Sequence, residues 1–437
     1  MKKIFKKIIV AILSWEASLV LKKYKPKIVG ITGSVGKTGT KEAVAQVLSQ
    51  HFTVRKSQKS FNSELGVPLT ILDCDNAWYS LSGWIKNILE GLSLIVFRSP
   101  YPEWLVLEVG VDRPSDIRNV IKFVKFDVAI VTRLPEIPVH IEFFKSPEGL
   151  INEKLLLARS VSPSGTVILN HDDPKIMAIV DELKAKVITY GWDEKATIRG
   201  SSEKIMYHDG DEGIGKVPDG LSLRVDYEGN TMPFRIKGLL AHHQLYGVLA
   251  AISVGVSQGI NLVEIASSLE KLEAYPGRFN LLPGIKQTLI IDDSYNSSPA
   301  ALESALKVLD QIEVMEKGRK IAVLGDMMEL GAKTIEAHRA AGVQVAKVCD
   351  NLITVGIRAK FIAESAQEKK MSEKKMAHFD MAEEAATALQ ELIKPHDIIL
   401  LKGSQSIRLE KVVEEIMLHP EDKEKLLVRQ ELQWKKK

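Results

Sequence analysis

Cysteine is nearly absent from this chain. Its two copies among 437 residues, Cys74 and Cys349, stand far apart with no C-x-x-C spacing. This excludes a disulfide framework and a cysteine-built zinc site, and it fits a reducing, cytoplasmic setting. A surplus of charge is missing too: 59 basic against 56 acidic residues leave a net charge of +3. With no arginine-rich stripe interleaved with aromatics, nucleic acid is not an expected partner. Long apolar runs are lacking near the start, where the longest, Ile8 to Leu13, falls far short of the roughly 20 residues of a membrane span. Glu16 breaks the apolar stretch beyond it, and no small-residue cleavage site marks a secretory signal. Neither an internal repeat nor a low-complexity tract occurs, so the partners expected are small molecules or proteins.

What is present is an ordinary globular composition, 45% hydrophobic and 26% charged, enough for two or three domains. Residues 1–26 are basic at both ends and apolar between. At helical period Phe5, Ile8, Ile9, Ile12, Trp15, Leu19 and Val20 share a broad face with lysines outside it. A helix docked on its own domain is expected, with a peripheral contact to the inner membrane surface or to a partner protein as the alternative. Residues 27–274 alternate strand-length apolar runs, "KIVGITG", "WLVLEVG", "FDVAIVT" and "GTVILN", with helix-sized stretches, the first helix being read as Lys41 to Ser49. A second series, "TLIIDDS", "RKIAVLGD", "NLITVG" and "HDIILLKGS", comes after Tyr275 and fills residues 275–437. The expectation is an α/β protein: a central phosphate-loop domain with a mostly parallel sheet, plus a smaller, doubly wound, Rossmann-like C-terminal domain. The segment Ser201 to Gly220 reads as a surface turn. It is no calcium loop, because Gly220 stands where the twelfth-position carboxylate should be. The tail from Glu421 to Lys437 reads as helical or frayed.

The chemistry is concentrated in "GITGSVGKTGT". A strand, a glycine turn and a helix start give a phosphate site its backbone N–H groups and positive helix end. Gly33, Ser34, Val35, Gly36, Lys37 and Thr38 are the expected nucleotide loop, with Lys37 on the terminal phosphates and Thr38 on a bridging Mg²⁺. The spacing G-x-x-G-K-T departs from the common G-x-x-x-x-G-K-[ST], since Ile31 stands where the first glycine would be. Glu108, at the end of another strand, suits a hard cation beside those phosphates.

"TGSVGKT" resembles the Mur ligase superfamily, ATP-dependent enzymes that join a carboxylate to an amine in peptidoglycan building, and further segments fall in that family's order. "FNSELGVPLTIL" is similar to N-N-x-x-G-V-P-x-T, with Asn62 at its first asparagine and Ser63 in place of the second. "LEVG" resembles E-x-G, which implies Glu108 as a magnesium carboxylate. "VTRLPEIPVHIEFF" resembles T-N-x-x-x-x-H-x-[DE]-x-F and implies His140 as the metal-site histidine, although Arg133 replaces the asparagine and the spacer is two residues longer. Lys154 falls where the family carries a lysine that becomes carbamylated and holds a second Mg²⁺. "AHHQLYGVLAAISVG" places His243 at the family's histidine, with Ala241 and Gly247 replacing a glycine and an asparagine. In the second half "YPGRFN" implies Arg278, "IIDDSYNSSPAAL" implies Asp293 and Asn296, and "LKGSQS" implies Lys402 and Ser404 near phosphates or substrate. "VLGDMMELG" is the longest specific match, to the branch of the family that adds D-alanyl-D-alanine.

The resemblance implies ATP and Mg²⁺ as cofactors and an acyl-phosphate mechanism. Lys37, Glu108, His140 and Lys154 would be catalytic, acting on a muramoyl peptide and D-alanyl-D-alanine, with the two halves closing about a hinge near Tyr275 to Gly277. That branch also carries an N-terminal UDP-binding domain of about a hundred residues, where this chain has some 26 before the core, so it is expected to lack that domain. Two competing readings remain: a related ligase acting on another or lipid-linked acid, and a nucleotide-binding scaffold without turnover.

Overall fold

A computed structural model describes residues 2–58, 61–78, 80–134, 144, 146–209, 216–314, 317–430 and 434, with the backbone alone for 2–4. The chain divides into two compact units: Met1–Glu203, Leu223–Phe234 and Gln244–Leu272 form unit 1, and Lys204–Ser222, Arg235–His243 and Glu273–Lys437 form unit 2. Among the described residues, one sheet holds nine strands: β1 (Lys27–Thr32), β2 (Val54–Lys56), β3 (Trp104–Glu108), β4 (Val128–Val131), β5 (Thr166–Asn170), β6 (Lys186–Gly191), β7 (Ile198–Asp209), β8 (Lys216–Tyr227) and β9 (Asn230–Lys237). Their order is β2-β3-β1-β4-β5-β6-β7-β8-β9, and every pair from β2 to β7 is parallel. Five of the six residues of β1 are buried, as a central parallel strand covered on both faces requires.

Helices of unit 1 flank this sheet: α1 (Lys2–Tyr24), α2 (Lys37–Leu48), α3 (Gly66–Leu72), α4 (Leu81–Val96), α5 (Asp116–Val120) and α6 (Pro147–Arg159). Helix α2 opens at Lys37, four residues before the expected start, because Gly36 at φ 88° already turns the chain into it. Helix α1 packs on α3 and α4. Its buried row, Ile9, Leu13, Ala17 and Val20, runs at spacings of four, four and three. The expected broad face is therefore corrected: Phe5, Ile8 and Trp15 are 41%, 52% and 57% exposed. No described helix is long and apolar enough to cross a membrane.

In unit 2, β10 (Asn280–Gly284), β11 (Thr288–Asp293), β12 (Lys320–Gly325), β13 (Asn351–Val355), β14 (Met376–Phe379) and β15 (Ile398–Lys402) form a second sheet. Its order is β10-β11-β15-β12-β13-β14, with only β10 antiparallel to its neighbour. Successive residues serve opposite faces. Ala322 and Leu324 enter a core with helices 299–311, 334–348 and 360–368, while Ile321 and Val323 enter one with helices 382–392 and 410–416. Burial on both faces at period two is what a doubly wound sheet demands.

One further expectation is corrected, and another, the helical or frayed tail, is met in part by helix at Pro420–Asp422 and Lys423–Leu426. Residues 201–209 and 216–220 belong to β7 and β8, so most of the expected surface turn is strand; 210–215 lie outside the described residues. The tail continues past a short helix, Lys423–Leu426, into Leu427, Val428 and Arg429, all buried. Leu427 joins a core cluster of unit 2, and burial rather than fraying holds this stretch.

Candidate functional site

The turn after β1 is shaped from its neighbour strand. Gly33 sits at φ 136°, and a Cβ there would lie 2.0 Å from the Thr132 hydroxyl oxygen, so only glycine fits. That hydroxyl donates to the carbonyls of Val35 (2.7 Å) and Thr32 (3.2 Å), and the Ser34 N–H donates to the Arg133 carbonyl at 2.8 Å. The N-cap of α2 is Gly36, which makes no side-chain cap among the described residues and leaves the positive helix end for an anion.

Five predicted side chains gather at and beside this turn. Lys37 Nζ donates to the carbonyls of Gly33 (3.0 Å) and Ser34 (3.4 Å). Lys154, on the buried face of α6, donates to the same Gly33 carbonyl at 3.1 Å and to the Ser34 hydroxyl at 3.0 Å. Ser146 caps α6 and Pro147 begins it, the combination that starts a helix cleanly. Lys154 is buried. Burial first, and then the neighbouring Lys37 charge, push its pKa down to about 7. The Thr38 hydroxyl donates to one oxygen of Glu108 at 3.1 Å and the Asn62 amide to the other at 3.1 Å. Gly110 admits Asn62, since a Cβ there would meet the Asn62 side chain at 3.0 Å, and its N–H donates to the Asn62 carbonyl at 2.7 Å. A hydroxyl and a nearly inaccessible carboxylate side by side are hard oxygen donors, which fits magnesium. His140 lies outside the described residues, so the histidine of the expected metal set has no position here.

In unit 2 the adjacent ends of β11 and β15 bring Asp293 opposite Lys402. The buried Lys402 ammonium lies 2.5 Å from the Asp293 carboxylate and donates to the Asn296 carbonyl at 3.0 Å. Burial raises the Asp293 pKa, and the Lys402 charge opposes that. The Arg278 guanidinium stacks 3.9 Å from the centre of the Tyr295 ring. Ser404 is engaged with its own backbone surroundings: its hydroxyl accepts from the Met328 N–H at 2.9 Å and its N–H donates to the Asp326 carbonyl. His243 Nδ1 lies 2.8 Å from the Ser304 hydroxyl.

Residues 31–82 and 91–255 match the Mur ligase middle domain, and residues 277–405 match the family described as Mur ligase, glutamate ligase domain. The chain belongs to the Mur ligase family. Similar proteins include the UDP-N-acetylmuramoyl-tripeptide--D-alanyl-D-alanine ligase of Bacillus subtilis, 26% identical over 92% of this chain and 79% of the relative. The enzyme of the same name from Escherichia coli is 26% identical over 91% and 78%. A solved MurF ligase of Thermotoga maritima in complex with ADP superposes with a TM-score of 0.74 at 26% identity, covering 93% of this chain and 83% of that one.

Within this Mur ligase several supporting residues escape a motif-by-motif reading. Lys41 is fully buried on α2 and donates to the Ser57 carbonyl at 2.7 Å, while the Ser57 hydroxyl accepts from the Glu108 N–H at 3.1 Å. A lysine four places after the loop lysine looks solvated in sequence. Only the β2-end contact shows that it anchors the strand carrying the carboxylate. Arg429 donates to the carbonyls of Ser294 (3.1 Å) and Tyr295 (2.7 Å) and to Glu410 at 3.0 Å. It thereby ties the C-terminal tail to the D-D-S-Y-N turn. Gly247, at the family's asparagine position, lets α2 approach: a Cβ would stand 3.1 Å from the Thr40 nitrogen.

Proposed function

We propose that this Mur ligase is an ATP-dependent ligase of peptidoglycan precursor synthesis that forms an amide between a carboxylate and an amine, adding D-alanyl-D-alanine to a muramoyl peptide. The observation that carries the reading is the meeting of Lys37, Thr38, Glu108 and Lys154 around the Gly33 turn. The names of the relatives support the choice of substrates.

In this reading the loop Gly33, Ser34, Val35, Gly36, Lys37 and Thr38 holds the outer phosphates of ATP. Thr38 and Glu108 hold magnesium, with His140 and a carbamylated Lys154 completing the metal set. Magnesium, when bound, supplies positive charge beside the transferring phosphoryl group. Arg278, Asp293 and Asn296 serve the nucleotide, and Asn62, Lys402 and Ser404 serve the substrates. A substrate carboxylate oxygen attacks the γ-phosphorus as the bond to the bridging oxygen breaks and ADP leaves. The amine then attacks the acyl carbon, gives up a proton, and inorganic phosphate departs. Charge spreads over the phosphoryl oxygens during the first step, so fixed donors at the loop and the Lys37 ammonium lower its barrier. A lysine forms a carbamate from its neutral amine, with CO₂ adding and a proton leaving. A pKa of about 7 at Lys154 keeps much of that amine neutral at physiological pH.

The test is phosphate release from ATP with UDP-linked tripeptide, with and without D-alanyl-D-alanine. Release that depends on the dipeptide, with a new amide in the product, is expected. Release indifferent to every amine offered overturns the reading.

A further inference from the structure

Most exposed apolar side chains on a soluble protein are scattered and carry no message. Here they are gathered. Ten of the fifteen large apolar side chains that are exposed among the described residues fall between Phe5 and Phe97. On α4 they form one continuous row, Leu81, Ile85, Leu89, Leu92 and Val96, from 36% to 69% exposed, at spacings of four, four, three and four. That spacing is one face of a helix. Helix α4 turns a different side inward, with Trp84 in the core and Ile88, Leu94 and Ile95 packed against it, so it is apolar toward the protein and apolar toward solvent. On α1 the pattern repeats. Ile9, Leu13, Ala17 and Val20 face inward, while Ile8 and Trp15 are exposed, with Ile12 and Leu19 half-buried in the same row.

The two helices are joined as one element of unit 1. Lys23 Nζ donates to the carbonyls of Leu94 (2.9 Å), Ile95 (3.0 Å) and Phe97 (2.5 Å) at the end of α4, and Gly91 meets the Glu16 carboxylate where the helices touch. The charge is equally uneven. Residues 1–25 hold seven lysines and one glutamate, a formal +6, while the whole chain sums to +3, so residues 26–437 together are at −3. Lys7, Lys22 and Lys25 are exposed, and Lys86 and Arg98 add basic groups on and just beyond α4; Lys6 pairs with Glu64 and Lys86 with Glu90. An apolar stripe flanked by lysines, on a helix that cannot span a bilayer, matches the interfacial zone of an anionic membrane, where rings and aliphatic chains enter the headgroup boundary and ammonium groups meet lipid phosphates.

We propose that the outward rows of α1 and α4 form a membrane-docking surface that seats this ligase on an anionic phospholipid bilayer without spanning it. The occupant is the lipid surface; a second copy of the chain is the rival occupant. The proposal is independent of which amide the enzyme makes.

The full chain is mixed with vesicles of phosphatidylcholine alone or with about 30% phosphatidylglycerol, and the bound fraction is measured by flotation. Expected is binding to the anionic vesicles and little to the neutral ones, weakened at about 0.5 M salt. Ile85→Ser with Leu89→Ser, and separately Ile8→Ser with Trp15→Ser, should each lower the partition constant about tenfold. Lys7→Gln with Lys22→Gln should lower it about fivefold per lysine. All six residues are exposed, so unchanged thermal unfolding checks that the variants fold. No binding to anionic vesicles, binding equal on both lipids, or binding that ignores both pairs of apolar substitutions overturns the proposal. So does a concentration-dependent dimer, seen by sedimentation without lipid and abolished by the same substitutions, because the rows would then be covered by a second copy.

Discussion

Lys154 and Lys402 are both buried ammonium groups, and the protein treats them in opposite ways. Lys402 has a carboxylate at 2.5 Å. Lys154 has only a carbonyl and a hydroxyl, with no ion-pair partner among the described residues. Removing a charge from water costs several kcal/mol unless a counter-charge offsets it. Unit 2 meets that cost with Asp293, and unit 1 lets it stand as a pKa pushed down to about 7. A paired lysine has a counter-charge beside it, as Lys402 has in Asp293. An unpaired one is kept close to its neutral, nucleophilic form, and the difference marks where side-chain chemistry is to be expected.

The same substitution at both places tests this contrast. Lys402→Met leaves the Asp293 carboxylate buried without its partner and should destabilise the protein by about 3–5 kcal/mol, read by urea unfolding. Lys154→Met removes an uncompensated charge and should cost less than about 1 kcal/mol or stabilise. Equal losses would erase the distinction. On the activity side, Lys37→Ala and Lys154→Met should each lower amine-dependent phosphate release about 10²–10³-fold. Only the Lys154 site should make wild-type activity depend on dissolved bicarbonate, measured before and after CO₂ removal.

The pH signs differ as well. Lys154 binds its proton less readily in the folded chain, where its pKa is about 7, than in the unfolded chain, near 10.5. Its contribution to stability therefore rises with pH across that window, and the rise should vanish in Lys154→Met. Glu16, buried on α1 with no hydrogen-bond partner for either oxygen among the described residues, behaves in the reverse sense. Burial pushes its pKa up to about 7, so the folded state keeps a proton that the unfolded state releases above about 4.5. Its contribution to stability falls from pH 4.5 to 7 and stays low above. Glu16→Gln should stabilise by about 1–3 kcal/mol at pH 8 and by little at pH 4. A modest effect is expected from Ser404→Ala, about 0.5–1.5 kcal/mol for the lost bond to the Met328 N–H, with the Asp326 turn otherwise intact.

Legibility in the sequence tracks the range of the interactions. The run "KIVGITGSVGKT" announces a strand, a turn and a helix because each is specified within a few residues, and Glu108 is readable as a carboxylate at a strand end. Strands β7 and β8 are not readable. They mix exposed and buried residues without strict alternation, and three glycines and two acids among the six positions between them suggest a turn. The buried face of α1 is ambiguous because a helix with apolar residues on two flanks has two candidate faces, and only contact with α3 and α4 chooses. Lys41 and Arg429 look like solvent residues in sequence; their burial depends on partners 16 and 135 positions away. The pairing of Asp293 with Lys402, across 109 positions, is fixed by the register of two parallel strands.

That register has a consequence for folding. Sliding β15 by a single position against β11 would turn the Lys402 ammonium to the opposite face of the sheet and leave Asp293 opposite Leu401 or Gly403, neither of which carries a counter-charge. Both errors are electrostatically severe, so this one contact works as a proofreading mark: of the alignments open to two similar apolar strands, it admits the one that assembles the turn beyond them.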